Sequence, residues 1–229
     1  MFITRIMAKF FSNYDSQKSL GSQLRAKRIT PLLEMIEEVY NGNGVNIIDI
    51  GGTERYWSIV PRGFLDEHNV KITIVNLPGT LMPKDHGPFT FVGADGCDLA
   101  CFGDGSFHIA HSNSVVEHVG GWENMVQFAK ELSRVSSKCF VQTPNYWFPI
   151  EPHCMTPFFH WLPRPIRIWL ISHFQLGNWS RAATVDESMR IVESARLLNK
   201  KMFQELFKDA TIITERFFWL PKSFIALKR

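Results

Sequence analysis

Short apolar runs recur along the first two thirds of the chain, and each ends among polar residues: Val45–Ile50 before Gly51-Gly52, Lys71–Leu77, Phe89–Asp95, Phe107–Asn113 and Lys138–Pro144. Continuous Val/Ile runs bounded by turn residues predict strands buried on both faces, as in a parallel sheet. A different period separates them. Over 17–40, Leu20, Leu24, Ile29, Leu32, Leu33, Ile36 and Val39 recur at helical spacing, and Asn41-Gly-Asn-Gly44 should end that helix. Over Glu123–Ser137, Met125, Phe128, Ala129, Leu132 and Val135 share one side of a second helix. Pro61 and Gly63 should keep the first crossover helix short and irregular. Thr211–Leu220 and Ser223–Leu227, separated by Pro221-Lys222, read as a closing antiparallel hairpin. Five strands alternating with helices and a terminal hairpin predict a doubly wound α/β sheet with one antiparallel strand.

Residues 145–183 break that alternation with a dense run of aromatics and prolines, and Thr184-x-x-Glu187 then restarts a helix with capping-box spacing. The expected organisation is an N-terminal helical segment, 1–44, and a domain over 45–229, with 145–183 inserted as a lid over the carboxyl edge of the sheet.

The chain has 229 residues, 45% of them hydrophobic and 21% charged, which is enough for one full core. A net charge of +3 with scattered basic residues gives no reason to expect a nucleic-acid partner. Cys97, Cys101, Cys139 and Cys154 form no C-x-x-C pair, so reduced structural thiols in a cytoplasmic protein are expected. Met1–Phe11, broken by Arg5 and Lys9, reads as a helix rather than a signal peptide. No run approaches the roughly 20 apolar residues that span a bilayer. Phe158–Ile171 mixes apolar residues with Arg164 and Arg167, a composition that admits peripheral contact with a membrane surface or a lipid-linked acceptor.

Three phrases resemble the class I S-adenosylmethionine-dependent methyltransferases, type 11-like: Ile48-Asp-Ile-Gly-Gly-Thr53, Gly93-Ala-Asp95-Gly96, and the longer Asp104–Val119, with its Ser-Asn-Ser-Val-Val-Glu-His. The resemblance covers about 45–145 and implies a Rossmann-like sheet of seven strands with S-adenosylmethionine at its carboxyl edge. By that resemblance, Gly51 and Gly52 let the backbone approach the cofactor's amino-acid end, and Asp49 fixes that turn or reaches the ammonium through water. Asn76 and Leu77 end the second strand. Where the family carries an acid for the ribose hydroxyls, Asn76 offers one carbonyl acceptor and an amide donor. Asp95 is expected to accept from the adenine amino group, beside the Gly96 and Cys97 backbone. Asn113 and Ser114 should stand near the methyl group.

Similar quinone-ring O-methyltransferases hold a divalent metal with an acid three residues before a Glu-His pair. Here Ser114 occupies that earlier place before Glu117-His118, so no metal is expected. The phrase Pro144-Asn-Tyr-Trp-Phe-Pro-Ile-Glu-Pro-His153 resembles methyltransferases from bacterial surface-polysaccharide gene clusters. Tyr146 and Trp147 suit the face of a sugar ring. Glu151 and His153, with His118 as the rival, suit removal of a hydroxyl proton, for which imidazole is well matched near neutral pH. The expected activity is therefore O-methylation of a glycan or related hydroxyl. The alternatives are a small aromatic or lipid-like quinone-type acceptor and a non-catalytic binding subunit. A nicotinamide enzyme is disfavoured, because no G-x-G-x-x-G follows a strand.

Overall fold

A computed structural model describes residues 20–61 and 63–229, with side chains from Arg28 onward. The helix expected over Met1–Phe11 lies outside the described residues. Helix α1, Leu20–Val39, leads into β1, Val45–Ile50. Two short helices, α2 (Glu54–Trp57) and α3 (Phe64–Glu67), make the irregular first crossover. Then follow β2 (Val70–Asn76), β3 (Phe89–Gly93), β4 (Ile109–Asn113), a 3-10 turn at Val116–His118, α4 (Trp122–Val135) and β5 (Cys139–Pro144). The 145–183 segment holds a 3-10 turn, Phe159–Trp161, and α5, Arg164–His173. Helices α6 (Val185–Glu193) and α7 (Lys200–Leu206) lead to β6 (Thr211–Phe217) and β7 (Leu220–Lys228).

The strands form one sheet in the order β3-β2-β1-β4-β5-β7-β6. The first five are parallel, and β7 runs antiparallel to both of its neighbours. Because strand side chains alternate faces, β1 divides its apolar residues between two cores. Ile48 and Ile50 pack with Phe128 and Leu132 of α4 and Phe203 of α7, whereas Val45 and Ile47 pack with Leu32, Met35 and Ile36 of α1 and with Trp57. A third cluster, Cys154, Phe159, Ile171, Ala182 and Val192, belongs to the inserted segment and α6. That segment thus carries a small core of its own. No described helix is long and apolar enough to cross a membrane.

The hairpin differs from expectation in its turn. Phe218-Trp219 make the connection, and Pro221 and Lys222 lie inside β7, with Pro221 opposite Arg216 at a register shift in β6. A proline lacks the ladder N–H and is tolerated at such an irregularity. Glu117 and His118 sit in the 3-10 turn ahead of α4. The Thr184 capping box forms: its side chain accepts from Glu187 N, while Glu187 reaches back to Ala183 N at 2.7 Å.

Candidate functional site

The carboxyl ends of the parallel strands form a continuous edge, and order reversal between β1 and β4 puts a crevice there. Ile50 pairs with Val75 on one side and Ser112 on the other, so Gly51 leaves β1 flanked by Asn76 and Asn113. Gly51 turns away with φ +69°, and its N–H donates to Val75 O at 2.7 Å. Gly52 lies directly over the Asp49 carboxylate, where a Cβ would stand 1.8 Å from Oδ2. Only glycine fits that position.

Asp49 is fully buried. Strand parity aims it toward the α1 face, where Oδ1 accepts from His111 Nδ1 at 2.6 Å and Oδ2 from Trp57 Nε1 at 2.8 Å. The acid anchors the glycine turn from beneath. Asn76 ties the turn to β2, donating from Nδ2 to Gly52 O at 3.1 Å. Farther along, β3 stops at Gly93, and Asp95 sits exposed in the following turn, where Oδ1 accepts from Cys97 N at 2.9 Å. A Cβ on Gly96 would press to 2.9 Å on Ile50 and Phe128. Burial, aided by the Asp95 charge, pushes the Cys97 thiol up to about 11, so it stays protonated. Leu77 is exposed.

A cavity of about 480 Å³ opens at this edge, lined by Asp49, Gly51, Gly52, Thr53, Asn113, Ser114, His118 and His153 among others. Asn76, Leu77, Asp95, Gly96 and Cys97 do not line it and lie along the edge beyond it. Arg28 and Tyr56 were not anticipated among its lining residues. Arg28 of α1 donates from Nη1 to Asn113 Oδ1 at 3.1 Å and pairs through Nε with Glu215 at 2.7 Å. Tyr56 and His111 also face it, and both the Tyr56 hydroxyl and His111 Nε2 are buried without a hydrogen-bond partner. Burial lifts the Tyr56 phenol above its ordinary range. Arg28 and Glu215 meet across 187 positions, and no local motif announces such a pair.

The opposite wall is built around two histidines. Ser114, at φ +57°, bonds Gln142 through both its N–H and its hydroxyl, which redirects the chain into the 116–118 turn. There Glu117 is fully buried. Its Oε2 accepts from Thr143 Oγ1 at 3.0 Å, its Oε1 has no partner, and burial pushes its carboxyl up to about 7. His118 donates from Nδ1 to Ser194 O at 2.7 Å, and burial lowers its affinity for a proton. His153 donates from Nδ1 to Glu151 Oε1 at 2.6 Å. Burial opposes its charging, but the carboxylate outweighs that and raises its pKa. Burial would raise Glu151, yet the His153 ring and the His153 and Cys154 N–H groups hold it below the ordinary carboxylate range. The two Nε2 atoms stand 3.0 Å apart, with the rings at 81°.

The predicted catalytic residues His118, His153 and Glu151 are thus brought together, with Glu151 behind His153 and off the cavity wall. Tyr146 and Trp147 are not brought to it. Tyr146 and Glu151 border a second hollow of about 410 Å³ with His160 and Arg167, and Trp147 is 63% exposed. The backbone after Pro144 carries them away from the crevice, while Phe148, Ile150 and Met155 supply apolar surface to the cavity.

No protein-family model matches the chain, and no curated protein matches it. Solved structures do. The CurJ carbon methyltransferase superposes with a TM-score of 0.59 at 11% identity, over 93% of this chain and 56% of that one. A SAM-dependent methyltransferase from Methanosarcina mazei gives 0.50 at 15% identity, over 84% and 95%. LepI, solved in complex with SAM, gives 0.50 at 8% identity, over 85% and 46%. This chain therefore spans little more than half of the CurJ domain. At these identities the likeness establishes the fold: a Rossmann-like, seven-stranded sheet of the methyltransferase type.

Proposed function

We propose that this protein is an S-adenosylmethionine-dependent methyltransferase acting on a hydroxyl of a sugar or related acceptor. One observation carries the reading: a single switch-point cavity has the Gly51-Gly52 turn and Asn113 on one wall and the His118–His153 pair on the other. The residues fit the cofactor. The bare Gly52 backbone, the Asn76 side-chain carbonyl left free by the Nδ2 bond to Gly52, and the Asp95–Cys97 turn form one row along the edge. Gly51, Gly52, Asn113 and Ser114 would hold its amino-acid end, and Asn76, Leu77, Asp95, Gly96 and Cys97 its nucleoside end. When bound, the cofactor supplies a methyl group already activated by its sulfonium.

The chain's own work is then alignment of the acceptor and removal of one proton. His153, oriented by Glu151, presents Nε2 at the cavity wall, and His118 stands beside it. Arg28 and Asn113 offer a donor and an amide to acceptor oxygens. Tyr146 and Trp147 are left as an outer contact for a longer glycan, with 145–183 as the lid. The apolar stretch of Ile59, Phe148, Ile150 and Met155 favours the second reading, a small aromatic or quinone-type acceptor.

Calorimetry with S-adenosylmethionine and NAD, followed by transfer assays on sugar and phenolic acceptors, tests the proposal. Cofactor binding with transfer to a sugar hydroxyl is expected. Transfer to phenols alone moves the activity to the second reading. Cofactor binding without turnover on any acceptor favours a non-catalytic subunit, and binding of NAD alone ends the reading. Peripheral membrane contact is also proposed, because Phe158, Trp161, Ile166 and Trp169 all stand exposed on one stretch with Arg164.

A further inference from the structure

We propose that Glu117, His118 and His153 form a binding site for one divalent transition-metal ion, zinc in the first instance, at the wall of the cavity. Their ligand atoms all lie within 4.8 Å of one another. The hydrogen bonds decide which atoms are free. A carbonyl only accepts, so the 2.7 Å contact to Ser194 O fixes the proton of His118 on Nδ1. The 2.6 Å contact to the Glu151 carboxylate does the same for His153. Two neutral rings held this way point Nε2 lone pairs at each other across 3.0 Å, which is repulsive unless a positive centre lies between them.

A shared proton would satisfy the nitrogens and nothing else. Glu117 Oε1 would remain buried without a partner, a state that costs about 1–3 kcal/mol or more for a charged group. A cation answers all three atoms at once. Two imidazoles and a carboxylate, each braced from behind, are also what such an ion requires. Ser194 O braces His118, Glu151 braces His153, and Thr143 Oγ1 braces Glu117. The Arg196 N–H further holds the Glu117 carbonyl at 2.7 Å, so the loop after α6 steadies the whole turn.

The absence of an acid at Ser114 led to an expectation of no metal. The structure supplies the third ligand from elsewhere: Ser114 is bonded to Gln142, and His153 arrives from the inserted segment, 35 residues beyond His118. His118 and His153 both line the cavity, so open coordination positions face it. This deepens the proposed function and rests on it in one respect only. With the ion bound, the imidazoles would serve as ligands in place of a free base, and the ion would hold the acceptor oxygen and ease loss of its proton to solvent.

The test needs neither cofactor nor acceptor, so the site can fail or stand independently of the methyltransferase reading. Purified protein is stripped with chelator, titrated with Zn²⁺ by calorimetry, and loaded with Co²⁺ to record its visible absorption. The expected result is one ion per chain with a Co²⁺ spectrum showing nitrogen and oxygen ligation. Affinity should fall at least tenfold in Glu117→Gln and in His118→Ala, and about 10–100-fold in Glu151→Gln, which weakens the brace behind His153. His173→Ala, an exposed histidine elsewhere, should bind as the native protein does. Folding of each variant is checked by circular dichroism. Should a variant unfold, the Co²⁺ spectrum of the native chain still decides. Binding below one equivalent, a Co²⁺ spectrum without nitrogen ligands, or retention of the ion by folded Glu117→Gln and His118→Ala overturns the proposal.

Discussion

The two walls of the cavity are built on different scales. The glycine-turn wall is made by neighbours in sequence or in adjacent strands: Asp49 under Gly52, Asn76 on Gly52, and Asp95 on Cys97. Its polar groups largely hold backbone and brace one another, and the exceptions are the buried Tyr56 hydroxyl and His111 Nε2 beside Asp49. The histidine wall is assembled from distant segments, with Glu117-His118 after β4, Thr143 in β5, Glu151-His153 in the inserted run, and Ser194 after α6. It keeps Glu117 Oε1 unpartnered and a pair of imidazole nitrogens in contact. A site that satisfies itself serves as a platform, and one left unsatisfied is poised for a ligand or a proton.

That contrast can be broken by substitution. The largest effect is expected on the histidine wall, where His153→Ala or His118→Ala should lower methyl transfer by about 10²–10⁴-fold. Calorimetry should show the cofactor still binding to both variants. Equal loss of cofactor affinity would mean that the walls are not separable.

On the other wall the first casualty should be stability. Asp49→Ala leaves His111 Nδ1 and Trp57 Nε1 buried without their acceptor, and at about 1–3 kcal/mol for each donor a clear loss of stability in chemical denaturation is expected. A fully stable Asp49→Ala would show that this acid does not hold the turn.

Smaller is the effect of Asp95→Ala, about 1–3 kcal/mol of cofactor affinity by calorimetry. Since Asp95 also holds Cys97 N, Asp95→Asn should restore the turn and recover part of that loss.

Asn76→Asp refines the same wall. From sequence alone a carboxylate at that strand end should hold a diol at least as well. The structure reverses this expectation, because Asn76 donates to Gly52 O and a carboxylate would face that carbonyl instead. A loss of about 1 kcal/mol in cofactor binding is expected. A gain would show that the bond to Gly52 is dispensable.

The smallest effect concerns the outer face. Trp169→Ala should reduce co-sedimentation with anionic vesicles a few-fold and leave transfer to a soluble acceptor unchanged. Unaltered sedimentation would dispose of membrane contact through 158–171.

The first strand was legible because a parallel strand buried on both faces reads as a near-continuous apolar run, and β1 emerges over Val45–Ile50 as the run predicts. The edge residues Gly51, Asn76 and Asn113 were legible for the same reason, since a polar residue ending such a run can only project from the sheet's rim. The hairpin turn was misplaced because Pro221 reads as a breaker, whereas the register shift opposite it removes the need for its N–H.

What the sequence by itself determined is thus the local matter of period, strand ends and caps, in which neighbouring residues choose the backbone. What only the tertiary structure decided is which distant groups meet. Strand parity turned Asp49 inward to His111, the fold of the inserted run put His153 against His118 and took Tyr146 and Trp147 away, and α1 delivered Arg28 to Asn113 and Glu215. The physical reason is that hydrogen bonds between remote side chains leave no periodicity in the chain. They follow from burial, which obliges each polar group to find its partner only after the core has closed.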